Sequence, residues 1–175
     1  MQYPYPKAYD VKRAVNDALR LFYLNDLYLI KHDVHECAMT FRLGFYLQNI
    51  FTGWDVDCEF NRDVNSPDGI KRLPDWEKDG QALKDIIPDI IIHKRGTEYN
   101  LLLIEAKKAA SESRRKKDIA KIESSIKEDT LHYRYGIFLD FQSTRKATMD
   151  ASVFFSKTGR SSLGIKTGST NNEVK

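Results

Sequence analysis

The run Ile86-Ile87-Pro88-Asp89-Ile90-Ile91-Ile92-His93, then Lys94-Arg95-Gly96-Thr97-Glu98, then Tyr99-Asn100-Leu101-Leu102-Leu103-Ile104-Glu105-Ala106-Lys107 decides how this chain is read. Two apolar segments of strand length flank a glycine-containing turn of hairpin length, the pattern of adjacent antiparallel strands. Their near-continuous Ile and Leu content predicts cover on both faces, as for the central strands of a layered α/β sheet. Three polar residues break the pattern: Asp89 near the start of the first strand, Glu105 and Lys107 at the end of the second. Strand alternation puts Glu105 and Lys107 on one face with Leu101 and Leu103. Hairpin pairing sets Asp89 beside Glu105. Two carboxylates brought together at a sheet end repel each other and cost several kcal/mol to desolvate without a compensating cation.

A hard divalent cation is the natural compensation, because Mg²⁺ takes one or two carboxylates and keeps positions for water and a phosphate. Lysine cannot ligate metal while charged. It can orient or deprotonate an attacking water and counter the charge that develops on a phosphoryl group, the more so if burial lowers its pKa.

Upstream, Val11, Ala14, Val15, Ala18, Leu21, Phe22, Leu24 and Leu27 recur at helical spacing and predict one helix from Tyr9 to about Ile30. A second is expected from Asp33 towards Gly53, with Asp33 and Glu36 spaced as a capping box. Trp54 to Asn61 alternates strictly and reads as a half-buried strand. Arg62 to Lys84, with its prolines, glycines and charges, reads as a long loop. Downstream, Ile119, Ile122 and Ile126 mark an amphipathic helix over Ser113 to Glu128, and Tyr135 to Phe141 is a further strand. Val153 to Phe155 adds a short fifth strand, and Ser156 to Lys175 reads as a mobile tail behind a single domain of residues 1–155. The expected fold is α/β in the order α-α-β-β-β-α-β, a mixed central sheet of four to five strands flanked by helices.

At 175 residues the chain suits one domain, and its 41% hydrophobic and 30% charged residues exclude collagen-like, coiled-coil and wholly disordered classes. The net charge of +3 announces neither a nucleic-acid nor a membrane partner by itself. No apolar run reaches the roughly 20 residues that span a bilayer, and no signal peptide is evident, so a cytoplasmic location is expected. Cys37 and Cys58 fit no metal spacing and are expected to be small buried apolar groups in a reducing compartment. His93 is expected to be a hairpin residue and His35 a first-turn helix residue.

In Pro88-Asp89, a gap of 15 residues, and Glu105-Ala106-Lys107, the sequence resembles the PD-(D/E)XK nuclease superfamily, the restriction-endonuclease-like fold. Both halves of the motif sit on the expected adjacent strands with a helix following. The resemblance covers about 110 residues, from Asp33 to Phe141. It implies a core of helix, three-stranded meander, helix and further strand. It also implies that Asp89, Glu105 and the carbonyl of Ala106 hold Mg²⁺, for which Mn²⁺ can substitute, and that Lys107 assists the attacking water. Glu36 matches the acidic residue that many members carry on the helix before the meander, and fits a helix cap equally well. Expected activity is metal-dependent hydrolysis of phosphodiester bonds, in DNA more readily than RNA. A homodimer is compatible with it. The alternative is a non-catalytic nucleic-acid-binding or assembly subunit.

Charge distribution adds a flank. Lys107, Lys108, Arg114, Arg115, Lys116, Lys117 and Lys121 face only Glu112 and Asp118 over the same stretch, a basic segment suited to phosphate contacts. Lys71, Arg72, Lys94 and Arg95 would widen such a groove if their loops lie beside it. Glu59, Arg62 and Gln142 are weaker candidates for a place at the site.

Overall fold

The structure, a computed structural model, describes residues 5–32, 34–74, 82–127, 131–141 and 149–163. Its elements, in chain order, are α1 (Ala8–Asn25), α2 (Leu27–Lys31), α3 (Glu36–Ile50), β1 (Asp55–Cys58), β2 (Arg72–Pro74), β3 (Leu83–Asp85), β4 (Ile90–His93), β5 (Asn100–Lys108), α4 (Glu112–Lys127), β6 (Tyr135–Phe141), β7 (Met149–Ser156) and β8 (Gly159–Ser162). Six strands make one mixed sheet in the order β1-β4-β5-β6-β7-β8. The β5–β6 pair is parallel, and every other neighbouring pair is antiparallel. Joining β5 to β6 through α4 is the crossover that a parallel pair requires.

Alternation along the central strands divides the core. Ile90, Ile92, Leu102 and Ile104 face α1 and α3, meeting Val11, Val15, Phe22, Leu43 and Leu47. Ile91 and Leu103 face the opposite layer with Ile122, Ile126, Tyr133 and Phe138. Every residue of β4 is buried, as two-sided cover demands. Each wholly buried Ile or Leu contributes about 1.5–3 kcal/mol. Gly136 on β6 lets α4 come close, since a Cβ there would stand 2.3 Å from Ile122 Cγ2. Among the described residues no helix is long and apolar enough to cross a membrane.

Several boundaries differ from expectation for physical reasons. The single helix expected from Tyr9 to Ile30 breaks at Asp26, whose carboxylate accepts from Arg42 Nε at 2.9 Å and from the Tyr46 hydroxyl, both on α3. That tertiary pairing outweighs the continuous apolar period. The α3 helix is capped by His35, whose Nδ1 accepts from the Cys37 amide at 3.3 Å; Asp33 lies outside the described residues. The β1 strand ends early because Glu59 adopts φ 52°, a left-handed conformation uncommon for a residue with a side chain. The expected long loop contains β2 and β3, paired as a separate two-stranded sheet.

The sheet has six strands rather than four to five. Part of the expected tail is ordered: β8 pairs with the end of β7, and Leu163 is buried. Residues 164–175 lie outside the described residues. Cys37 and Cys58 are exposed rather than buried. The Cys58 sulfur nonetheless turns towards α3, 3.6 Å from the Thr40 carbonyl, where burial pushes its thiol up to about 11.

Candidate active site

Asp89 immediately precedes β4 and Glu105 lies near the end of β5. Because Ile90 pairs with Ile104, the register sets the two acids opposite each other. The Ala106 amide donates to Asp89 Oδ2 at 2.8 Å, so the backbone of β5 itself fixes this carboxylate. Lys107 Nζ donates to the same oxygen at 3.1 Å and to the Ala106 carbonyl at 3.3 Å. It also lies 3.6 Å from Glu36 Oε2. The other Glu36 oxygen accepts from the Lys108 amide at 3.1 Å, which ties the start of α3 to the end of β5. Glu36 thus serves this cluster, while His35 caps the helix.

Glu105 is wholly buried. Its Oε2 lies 2.6 Å from Lys121 Nζ on α4. Beyond that ion pair, neither Glu105 oxygen has a hydrogen-bond partner among the described residues. Burial is the main cause that pushes its carboxyl up to about 8; Lys121 opposes the shift, and Asp89 and Asp118 reinforce it. Asp118, half-buried on α4, is raised by burial too, and by repulsion from Asp89 and Glu36, against the pull of Lys107 and Lys121.

Lys107 departs from the expectation that burial would lower its pKa. Burial does oppose its charge, but Asp89, Glu105 and Asp118 more than compensate and hold it above the ordinary lysine value. It is a firm cation, suited to countering negative charge and not to taking a proton. Two residues with side chains adopt left-handed conformations beside the cluster: Glu59, whose amide donates to the Asp89 carbonyl at 3.2 Å, and Ala109, with φ 50°. Such strain is common where a fold holds functional groups in place.

The oxygen donors suit a hard divalent cation: carboxylates of Asp89, Glu36 and Glu105 and the carbonyl of Ala106, with no sulfur or imidazole. Glu105 adds buried oxygens without hydrogen-bond partners. Among the described residues, however, no three His, Cys, Asp or Glu side chains are gathered closely enough to hold a metal ion as they stand. Lys107 Nζ sits where oxygens of Asp89, Ala106 and Glu36 converge, and Lys121 Nζ is against Glu105. Two ammonium groups thus face these carboxylates.

Other expected site residues are distributed as follows. Glu59 is exposed at the end of β1, against the backbone of Asp89. Arg62 is exposed, bridges to Ile70, and lines a separate cavity with Phe60, His93 and Asn100. Gln142 lies outside the described residues. Arg115 pairs with Asp140, which is wholly buried and whose other oxygen accepts from the Ala110 amide. Lys116 pairs with Glu112 at 2.7 Å on the exposed face, and Lys108 Nζ donates to the Val34 carbonyl at 3.1 Å. Arg114 and Lys117 are exposed on the first turns of α4.

The residues proposed to widen the groove are committed elsewhere. Lys71 is buried and donates to the Tyr133 hydroxyl at 2.6 Å; Arg72 pairs with Asp68 and Asp85, and Arg95 with Asp57. Lys94 lies over the Trp54 ring. His93 is buried against Asp57, 2.8 Å from its Oδ2. Burial lowers the imidazole pKa there against the opposing pull of Asp57.

Sequence reasoning counted Lys121 only in the basic segment and assigned neither Asp118 nor Lys121 to the carboxylate cluster. A signal was present: Asp118, Ile122 and Ser125 share one helix face, so a charged residue extends the buried stripe. Comparison with family models, curated proteins and solved structures finds no match to this chain.

Proposed function

We propose that this protein is a metal-dependent nuclease that hydrolyses phosphodiester bonds in nucleic acid, DNA more readily than RNA, using Mg²⁺ or in its place Mn²⁺. One observation carries the reading: Asp89 and Glu105 stand opposite each other on adjacent strands, with Lys107, Glu36 and the Ala106 carbonyl at the same sheet end. The β1–β4–β5 antiparallel order, followed by α4 and the parallel β6, supports a restriction-endonuclease-like core. The site of action would be the cytoplasm, with one chain or a homodimer as the working unit.

In this reading Asp89, Glu105, Glu36 and the Ala106 carbonyl hold the cation. When bound, the cation polarises the phosphodiester and makes water a better nucleophile at neutral pH. Lys107, already cationic, moves from the oxygens it now contacts to the developing charge on phosphate. Arg114 and Lys117, on the exposed start of α4, hold the nucleic-acid backbone without reading sequence.

A second reading has its own support. The carboxylates of Asp89 and Glu105 already have ammonium partners, the arrangement expected of a structural cluster in a non-catalytic binding or assembly subunit. Incubating plasmid, single-stranded DNA and RNA with the protein in Mg²⁺, Mn²⁺ or EDTA separates the two. Cleavage that requires the cation and is lost in folded Asp89→Ala and Lys107→Ala variants is the expected result. Nucleic-acid binding without cleavage of any substrate would reject the nuclease reading in favour of the binding subunit.

A further inference from the structure

A cavity of about 200 Å³ lies between the 60–70 segment and the β4–β5 turn. Extended chain from Asp89 to His93 spans roughly 13 Å, so the cavity is separate from the carboxylate cluster. Both walls are preformed. On one, Arg62 bridges to Ile70, the Asp63 amide donates to the Gly69 carbonyl at 3.0 Å, and the Lys71 amide donates to the Asn61 carbonyl at 2.7 Å. On the other, the Lys94 amide donates to the Tyr99 carbonyl at 2.9 Å across the turn.

Phe60 and His93 give the cavity two aromatic rings, edge to face with centroids 4.7 Å apart. Arg62 is exposed at its mouth, where a Cβ on Gly69 would stand 4.0 Å from Arg62 Nη1. The Arg62 guanidinium has no ion-pair partner among the described residues. Behind Phe60 the buried Lys71 ammonium lies 5.6 Å from the ring centroid and donates to the neutral Tyr133 hydroxyl. Asp57 and Arg95 cancel each other, and Asp63 is the one carboxylate among the described lining residues. Two cations against Asp63 leave one positive charge, which a single phosphate group can neutralise. The Asp63 Oδ1 accepts from the Asn65 amide at 3.0 Å, and Asn100 gives its Nδ2 to the Leu131 carbonyl at 2.6 Å. That leaves Asp63 Oδ2 and Asn100 Oδ1 as acceptors. Acceptors suit a ring that carries an amino group, such as cytosine at N4 or adenine at N6. The space is below the roughly 300–1,000 Å³ of drug-sized sites and suits one base.

We infer that this cavity binds a nucleotide, with its amino-bearing base against Phe60 and His93 and its phosphate at Arg62. Aromatic rings and guanidinium groups are the usual grip on an unpaired base and its backbone. A free nucleotide and an unpaired residue of a single strand both carry this chemistry. The inference is independent of the cation, because no member of the carboxylate cluster takes part.

The test is calorimetric titration of the full chain in EDTA with dCMP, dTMP, deoxycytidine and inorganic phosphate. The parent is expected to bind dCMP, and each of the other three at least about fivefold more weakly. Arg62→Gln changes an exposed, unpaired side chain, so its fold is expected to be kept. It should bind dCMP at least about fivefold more weakly and deoxycytidine as the parent does. Phe60→Ala, checked for folding by circular dichroism, should lose affinity for both by about tenfold or more. A single-stranded oligodeoxycytidylate of roughly eight nucleotides then separates the two sources. Displacement of dCMP by the oligonucleotide assigns the cavity to a strand, and retention of dCMP assigns it to the free nucleotide. Inorganic phosphate or dTMP binding as tightly as dCMP overturns the inference. So does a parent that binds no dCMP, or dCMP affinity unchanged in Arg62→Gln. Cleavage in Mg²⁺ is measured separately, so failure here leaves the nuclease reading standing.

Discussion

Lys107 Nζ lies 3.1 Å from Asp89 Oδ2, so the residue expected to assist the chemistry occupies a position expected for the metal. The two roles are exclusive in space. Removing the ammonium should therefore separate ion binding from reaction. Lys107→Met is expected to bind Mn²⁺ as tightly as the parent or more tightly, while cleavage falls by about 100-fold or more. Calorimetry and a plasmid-cleavage time course on the same sample check this. Weaker ion binding with unchanged cleavage would show that Lys107 is only a structural partner of Asp89.

The buried Glu105 makes the metal-free protein sensitive to pH in a defined direction. Its carboxyl is raised from 4.5 to about 8 in the folded state, so between those values the folded chain holds more protons than the unfolded one. The contribution of this group to stability is then fullest below pH 4.5 and is lost as pH rises through 8. One such group sets a slope of at most about 1.4 kcal/mol per pH unit. Urea denaturation in EDTA from pH 5 to pH 8 should show the decline in the parent and a flatter profile in Glu105→Gln. Parallel profiles would mean that Glu105 ionises normally. His93 acts in the opposite sense, since burial lowers its pKa and costs stability as pH falls; both proteins share that contribution.

Arg115 provides a contrast between stability and binding. Its guanidinium pairs with the wholly buried Asp140, so Arg115→Gln leaves a buried carboxylate uncompensated. The expected cost is about 2 kcal/mol, below the roughly 3–5 kcal/mol for a fully buried pair because the arginine side chain is itself 36% exposed. Thermal denaturation reads that cost. The salt dependence of nucleic-acid binding should be unchanged in Arg115→Gln and reduced in Arg114→Gln. A reduced salt slope at unchanged stability would return Arg115 to the phosphate-binding set.

Gly136 sets the distance between α4 and β6. Gly136→Ala places a methyl 2.3 Å from Ile122 Cγ2 and 3.1 Å from Ile126 Cδ1, so the helix must shift. The expected destabilisation is about 1–3 kcal/mol. Because Lys121 rides on the same helix, its ion pair with the buried Glu105 should loosen as well. A variant with the parent's melting temperature would show that the α4 packing yields freely at this point.

The pairing of Asp89 with Glu105 was legible in the sequence because a short hairpin fixes register, and register fixes which side chains are opposite each other. Glu36 was legible only as a choice between cap and ligand, since one spacing satisfies both; His35 takes the cap and leaves the carboxylate for the site. The partner of Arg115 was hidden for a different reason. Nothing in a run of basic helix residues tells which of them meets an acid at the end of a later strand, here Asp140. The helix break at Asp26 was hidden similarly, because Arg42 and Tyr46 reach it only once α3 has packed. Local periodicity carries element type, whereas side-chain pairing across layers depends on contacts that sequence order does not display.

The contacts that assemble the sheet end span unequal lengths of chain: 17 residues separate Asp89 from Ala106, and 72 separate Glu36 from Lys108. Closing the longer loop is the slower event. Glu36 leaves the ribosome first and finds its partners last. A nascent chain can thus form the hairpin and its paired acids well before α3 docks, and Glu36 joins the oxygen set after them.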